Sequence, residues 1–298
     1  MAIAQGSSFQ FAYIAESIWG TTPTPSPAMV LLPVTKVTGG LSKSTLEDNT
    51  LNGSRIRLLP RSGMKTVKKT IEGNLRYGDF DPWIAAACRS TWVANVTSIG
   101  STITSFTGED GFTDIAQYLP YTALTPTKLS ISIKPNTMIP ITIECVGKNA
   151  AAASSTPLKA VPTAISVNPP FDAFTGSITE GGSAIATVTG LDFSLDDQTA
   201  GAEVIFTNTI TGITDGKGKV SGTVSAYFTD VSLLNKFVNE TTSSIVVTLT
   251  DLLGGSLTIN FSSLKYLGGD PDVSGEGSVT LSLPFEATNI QFTRTPHA

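Results

Sequence analysis

The chain has 298 residues, of which 40% are hydrophobic and 14% are charged. This composition is too apolar for a disordered chain, and the length favours two domains of ordinary size. The formal net charge of -5 excludes a protein that holds nucleic acid tightly through a basic surface. The chain begins without a secretory signal pattern, and its apolar runs are too short to cross a membrane, so we expect a cytoplasmic product with no membrane partner.

Short runs of Val, Ile, Thr and Phe alternate along the whole chain with Gly, Pro, Asn and Asp. The first group favours half-buried strands and the second favours tight turns, so the fold is predicted to be mainly β. Cys88 and Cys145 lie far apart, each beside apolar neighbours and outside any Cys/His cluster. We expect both to be buried small hydrophobic residues rather than a disulfide.

The first element in chain order is predicted to be an extended assembly arm over residues 1–33. Its prolines, Pro23, Pro25 and Pro27, oppose a compact helix. Apolar side chains on an extended arm need a pocket, because water is a poor environment for them. The residues expected to fill that pocket are Tyr13, Ile14, Ile18 and Trp19. Two interpretations stay open: the arm docks on another copy of the chain, or it packs on its own domain.

A second candidate for assembly is the loop over residues 44–63. It is longer than a hairpin turn needs, and it mixes Arg with Leu and Ile, which is typical of interfaces. The residues expected to make contacts are Leu51, Arg55, Ile56, Arg57 and Leu58. The alternative is a mobile surface loop without a partner.

The two halves of the chain contain similar segments in the same order. Ile71–Leu75 resembles Val220–Val224, and Ile139–Gly147 alternates like Val279–Ala287. A Val-Thr-Gly sequence also begins at residue 37 and again at residue 188. Three landmarks in one order predict an internal duplication.

Each half is also predicted to carry one short helix among its strands. One follows Asp81 and Pro82, and the other follows Asp230. Asp is a good N-cap, and Pro suits the first helical turn. The predicted fold class is therefore mainly β, with two tandem duplicated β-sandwich or barrel domains, each with one flanking short α-helix.

The domain boundaries follow from these elements. After the arm, residues 34–148 form the first domain and residues 171–298 form the second. Residues 149–170 separate them and are rich in small residues and proline, so they are predicted to be a linker.

The sequence offers little for catalysis, and neither a cofactor nor a metal is expected. The one histidine, His297, lies beside the C-terminus, where order is least expected. A Ser-His-Asp or Cys-His mechanism would have to use it. The Gly-rich segments lack phosphate-loop spacing, and adjacent acids such as Asp196 and Asp197 point to opposite faces of an extended chain. We therefore expect a protein that is not an enzyme.

Several segments resemble the tail tube proteins of long, non-contractile-tailed bacteriophages. The resemblance covers nearly the whole chain and is collinear. Its segments are Ala12–Pro27, Tyr77–Asp81, Phe112–Tyr118, Phe171–Gly182 and Gly268–Gly277. The resemblance implies a β-sandwich or barrel with a flanking helix, in a virion protein whose copies form stacked rings around a lumen.

The resemblance also implies the partners. They are other copies of the chain, the tape measure protein inside the lumen, and the tail terminator and baseplate or tail-tip proteins. Double-stranded DNA passes only in transit, and an excess of acidic side chains in the lumen is expected to keep it from adhering. In resembling proteins the loop over residues 44–63 reaches toward the adjacent ring.

Six similar domains are implied around each ring, so a duplicated chain predicts a trimeric ring of pseudo-sixfold appearance. The alternative is a hexamer in which one half of each chain lines the lumen and the other lies outside. Other classes stay open as well. A two-domain β-sandwich adhesin or a virion decoration protein fits the strands equally, whereas a β-fold hydrolase is disfavoured by the shortage of histidine.

Overall fold

Strands dominate the structure, a computed structural model that describes residues 3–24, 28–51, 53–273 and 275–297. The mainly β architecture predicted from the sequence is confirmed. The first half holds a 3₁₀ turn at Gly6–Ser8 and helix α1 at Asp81–Ala87. Its strands are β1 Phe9–Ala15, β2 Val30–Leu32, β3 Val34–Leu46, β4 Arg61–Asn74, β5 Val96–Ser98, β6 Phe106–Phe112, β7 Gln117–Ile133, β8 Pro140–Gly147 and β9 Asn149–Ala150.

The second half holds helix α2 at Ser232–Val238 and ten further strands in its described residues. They are β10 Gly176–Glu180, β11 Ser183–Ala184, β12 Val188–Asp196, β13 Ala200–Ala202, β14 Gly212–Thr214, β15 Lys219–Tyr227, β16 Ser243–Thr250, β17 Ser256–Tyr266, β18 Pro271–Asp272 and β19 Thr280–Thr295. Only β13 and β14 stand apart, as a small separate two-stranded sheet.

The strand order is similar in the two halves, and every pairing in it is antiparallel. In the first half the order is β3-β4-β8-β7-β6-β1-β2. In the second half it is β12-β15-β19-β17-β16-β10-β11. Helix α1 follows β4 as helix α2 follows β15. This order supports the predicted duplication, which stays a hypothesis.

The helices form where the sequence predicts them, but they differ in burial. Pro82 lies in the first turn of α1, and every other residue of that helix is buried. Trp83 stacks on Phe106 of β6 and also contacts Phe11 and Tyr13 of β1. Helix α2 begins beside Asp230, whose carboxylate accepts a hydrogen bond from the Ser232 amide, and none of its residues is fully buried. The core is therefore more complete in the first half.

The structure corrects the interpretation of residues 1–33 as an arm outside both domains. Strand β1 pairs with β6 along its whole length and with β2 on its other edge. Phe11, Ala12 and Tyr13 are consecutive buried residues: Phe11 and Tyr13 pack on Trp83 in the core, whereas Ala12 points to the opposite face, beside the segment 157–162. Residues 9–15 thus belong to the first half of the fold. Pro25 and Pro27, on which the prediction also depended, lie outside the described residues.

The segment 149–170 runs along the first half and is bound to it. Strand β9 pairs with β7, and backbone hydrogen bonds join Ser154 to Tyr118 and Thr163 to Met29. Phe171 follows fully buried, with its amide bonded to the Leu75 carbonyl. This connection is thus an ordered strap rather than a free tether. Both cysteines are unpaired and buried, as predicted.

Candidate assembly surfaces

The two halves are joined by a β-ladder. Residues 128–133 of β7 pair antiparallel with residues 191–196 of β12, from Lys128 opposite Asp196 to Ile133 opposite Leu191. The sheet therefore continues from the first half into the second. Because alternate residue pairs of an antiparallel ladder exchange backbone hydrogen bonds, a shift of register would break them, so this joint is specific as well as extensive.

A buried arginine clamps the same joint beside the ladder. Arg89 follows α1 and adopts a positive φ of 52°. Its Nε and Nη2 donate to the two carboxylate oxygens of Asp215 at 2.6 and 2.8 Å, and Nη2 also donates to the Thr199 hydroxyl at 2.7 Å. Asp197 lies 3.3 Å from Nη2. The guanidinium of the first half is thus held by three residues of the second.

The two carboxylates of this cluster differ in their acidity. Burial raises the pKa of the Asp197 carboxyl to about 7, because Asp197 has only the longer contact to Arg89 and lies near two other carboxylates. For Asp215, burial is outweighed by hydrogen bonds from Arg89 and Thr199, so its pKa is lowered. Asp215 is therefore the ionised partner of Arg89, whereas Asp197 can hold a proton near neutral pH.

The C-terminal strand adds a third contact between the halves. Residues 291–293 of β19 pair with β5. Arg294 forms an ion pair with Asp81, and its guanidinium lies 4.6 Å from the centre of the Trp92 ring. His297 was expected in a frayed end, but its Nε2 lies 2.8 Å from the Asp251 carboxylate, and its ring packs on Tyr77. The aromatic and ionic partners order this end.

Besides the short strands β2 and β11, which end the strand order of each half, two longer edges are without a partner strand in the described part of the chain. Strand β3 has a ladder to β4 alone. At the opposite end, residues 265–272 pair with β19 on one side through Lys265, Tyr266 and β18, and with no described strand on the other. Unpaired edges expose backbone donors and acceptors that readily accept another strand. We call them the β3 edge and the 265–272 edge.

One face of the joined sheet is polar. Its alternate residues point away from the core and are mostly small hydroxyl side chains, namely Ser130, Ser132, Thr142, Ser194, Ser221 and Thr223. Charged residues of both signs lie among them, for example Lys128 opposite Glu144 and Asp192 near Lys134. This face therefore presents neither a large apolar patch nor a field of one sign.

The four residues predicted on the arm fall into two environments. Tyr13 is 6% exposed and packs on Trp83 and Phe106, and burial raises the pKa of its hydroxyl. Ile14 is half-buried in the ladder with β6. Ile18, by contrast, is 67% exposed at a short turn, and half-buried Trp19 lies beneath the Lys148 ammonium. Tyr13 is therefore a core residue, and the accessible part of this segment is its tip at Ile18 and Trp19.

The predicted loop residues are all exposed, between β3 and β4. Leu51 is 98% exposed, Ile56 is 79% exposed, and Leu58 is also accessible. Arg57 pairs with Glu47 across the loop at 2.7 Å, and Arg55 faces solvent. Such apolar side chains grouped on one loop tip are costly in water unless a partner covers them.

The sequence analysis missed two features. The loop between β13 and β14 carries a second exposed apolar group, Val204, Ile205 and a fully exposed Phe206. An apolar tripeptide next to Gly201 could have indicated it. Arg89 was missed because its partners are more than 100 residues away in the chain. No local pattern indicates a buried arginine of that kind.

Comparison with known proteins decides the family. The family model described as "Phage tail tube protein" matches residues 6–287, which is most of the chain. This chain belongs to the phage tail tube family. It is thus a structural component of the virion, which agrees with the resemblance seen in the sequence. The family is not known as enzymatic, and burial raises the pKa of the Cys88 thiol to about 12, which makes it a poor nucleophile.

Other comparisons add little detail. A solved chain described as "Cryo-EM structure of the anti-feeding prophage (AFP) baseplate, 6-fold symmetrised" is similar over 39% of this tail tube protein and 89% of its own length. The sequence identity is 13% and the TM-score is 0.30. None of the curated proteins compared with the chain matches it significantly. Among the described residues, neither helix is long and apolar enough to span a bilayer.

Proposed function

We propose that this tail tube protein is the repeating subunit of a long, non-contractile phage tail. Three chains close into a ring, and the rings stack into a tube that holds the tape measure protein and later conducts double-stranded DNA. The ends of the tube contact the tail terminator and the baseplate or tail-tip proteins. The family assignment favours this function over a discrete adhesin or a decoration protein.

The observation that carries this proposal is the ladder between β7 and β12. It joins two similarly ordered halves edge to edge within one chain. The β3 edge occupies the place in the first half that β12 has in the second, since each begins the strand order of its half. A second copy can therefore add its β3 edge to the 265–272 edge and repeat the joint. A head-to-tail contact of this kind closes into a ring when the rotation per copy allows it.

The size of the ring follows from the number of halves. If six similar halves complete the circle, three chains supply them. Covalent connection keeps the two halves of a chain adjacent, and the ordered strap over residues 149–170 leaves little freedom for any other placement.

The polar face of the joined sheet is the proposed lining of the lumen. Closure of a sheet into a barrel leaves more room outside than inside. The bulky layer with the helices and the core then lies outside, and the small Ser and Thr side chains lie inside. Charges of both signs lie on this face, and the acidic excess expected in the lumen stays a prediction. Walls rich in hydroxyl groups and without a basic excess would hold a passing polyanion only weakly.

Electron microscopy of the purified protein tests the function. Hollow filaments or stacked rings are expected at high protein concentration. Discrete monomers over the whole concentration range, together with binding to a glycan or a receptor, would instead support an adhesin.

A further inference from the structure

The charges at the joint within the chain have a definite polarity. The β7 side contributes Lys128 and Lys134, whereas the β12 side contributes Asp192 and Asp196. Lys128 lies directly opposite Asp196, and the Lys134 ammonium is 3.8 Å from Asp192. A basic edge of the first half thus meets an acidic edge of the second.

The β3 edge is also basic, although it belongs to the outer side of the first half. Strand β3 contains two lysines and no carboxylate: Lys36 pairs with Glu72 of β4 at 2.7 Å, whereas Lys43 is without such a partner in the described residues. Lys43 lies directly opposite Lys65 of β4, whereas Lys68, which β4 places between β3 and β8, is exposed on the other face of the sheet. Within the described residues, none of Lys43, Lys65 and Lys68 lies within 4.0 Å of a carboxylate. Like charges opposite each other destabilise an isolated hairpin, so this edge favours an acidic partner.

The 265–272 edge has the opposite sign. Asp270 and Asp272 lie on it, and Glu276 follows closely. All three are exposed and, in the described part of the chain, have no ion pair. The one cation there, Lys265, lies opposite Glu286 in the ladder and 3.6 Å from Glu240. The second half therefore ends on an acidic edge.

We propose that these charges determine the order of the halves around the ring: the lysines of the β3 edge recognise the carboxylates of the 265–272 edge on a second copy of the chain. This inference rests on the proposed function. In the joint between chains, the cations lie at β3, which corresponds to β12. The acids lie on residues 265–272, which continue β17, the strand that corresponds to β7. The polarity of this joint is the reverse of that within the chain.

The opposite signs of the two free edges exclude incorrect pairings. Two β3 edges that meet would bring Lys43 of one copy against Lys43 of the other. Two 265–272 edges that meet would bring Asp270 and Asp272 against the same residues of the other copy. Like charges across an interface cost affinity, whereas correct pairing gains from complementarity. Each half therefore accepts only the other kind as its neighbour.

Charge reversal at each edge tests this inference. The basic-edge variant is Lys43→Glu with Lys65→Glu, a directly opposed pair. The acidic-edge variant is Asp270→Lys with Asp272→Lys, and the combined variant carries all four changes. Each double variant alone should raise the critical concentration for tube formation about ten- to a hundredfold at low salt, because it places like charges opposite each other in the joint between chains. The combined variant should return to within about threefold of the wild type.

Controls separate assembly from folding. Lys217→Glu, which reverses an exposed lysine away from both edges, should leave the critical concentration unchanged. Urea unfolding of every variant should show the wild-type midpoint. If a reversal variant does not fold, two neutral double variants serve instead, namely Lys43→Gln with Lys65→Gln and Asp270→Asn with Asp272→Asn. Each should raise the critical concentration, by less than the corresponding reversal.

Mixing experiments provide the sharpest outcome. Differently labelled wild-type and combined-variant chains should sort into separate tubes, because each mixed joint opposes like charges. Random co-assembly would overturn the charge inference while leaving the tube function intact. So would a combined variant whose critical concentration is no lower than that of the less competent double variant. Failure of the wild type itself to form rings would overturn the proposed function.

Discussion

Arg89 connects the two halves at the level of a single side chain. Its guanidinium is almost fully buried between Asp197, Asp215 and Thr199. Arg89→Ala would leave buried carboxylates without their counter-charge, so we expect a loss of about 3 kcal/mol in the free energy of unfolding. Urea denaturation measures it. The control Arg55→Ala, at an exposed position, should change stability by less than about 0.5 kcal/mol. Equal effects of the two substitutions would contradict the role of Arg89.

Asp197 in the same cluster predicts a pH dependence of stability. Burial raises its pKa to about 7 in the folded chain, against about 3.9 in an unfolded one. The folded state therefore binds this proton more tightly, and the resulting stabilisation is present at acidic pH and is lost as the pH rises toward 7. Asp197→Asn remains neutral throughout. The variant should lose less stability than the wild type between about pH 4 and pH 7, as unfolding midpoints will report. Parallel pH profiles would refute the shift.

Tyr13 and Ile18 separate core packing from assembly within one segment. Tyr13→Ala removes a buried ring against Trp83 and Phe106, so a loss of about 3 to 5 kcal/mol in unfolding free energy is expected. Ile18→Ser affects an exposed side chain, so stability should stay within about 0.5 kcal/mol while tube formation weakens. Thermal unfolding and filament counts measure both. Wild-type assembly by Ile18→Ser would remove this tip from the interface.

At the scale of elements, the loop between β3 and β4 is expected to join successive rings. The triple substitution Leu51→Ser, Ile56→Ser and Leu58→Ser removes exposed apolar contacts without touching the core. Rings should still form, but tubes should be shorter. Electron micrographs give the length distribution. The matched control is Leu252→Ser with Leu253→Ser, in the exposed turn between β16 and β17. Tubes of normal length from the triple variant would mean that the loop is only surface.

Local patterns predicted some elements well. The Asp-Pro pair predicted α1, and Asp230 correctly preceded α2, because helix-start preferences act over a few residues. Asp81 is not the N-cap, however: it is the first helical residue, and its carboxylate pairs with Arg294. The alternating strand at Ile139–Gly147 was also correct, since β8 has one buried face and one polar face.

Non-local pairing could not be predicted in the same way. Strand β1 has three consecutive buried residues, so its burial pattern lacks the period of two that marks a strand with one buried face. Its apolar side chains indicate that the segment must be covered, but not which part of the protein covers it. The ladder between β7 and β12 joins residues about 60 apart in the chain. Its register depends on how both halves fold, which no short segment encodes.

At the scale of the whole molecule, the chain is a pair of joined halves whose outer edges are unpaired and opposite in charge. A protein with such edges either protects them or uses them, because exposed strands recruit one another. Membership in the tail tube family favours the second alternative, in which the edges pair with other copies of the chain. A closed ring would leave neither edge exposed, and stacking would then depend on the loops and on the tip at Ile18.

The central claim is that three copies close a ring through these edges. A cryo-EM reconstruction of tubes grown from the purified protein measures it most directly. We predict three chains per ring, six β-halves at one radius in alternating order, and the β3 edge of each chain paired with the 265–272 edge of the next. Six chains per ring with the two halves at different radii, or a ring in which either edge faces solvent, would contradict it.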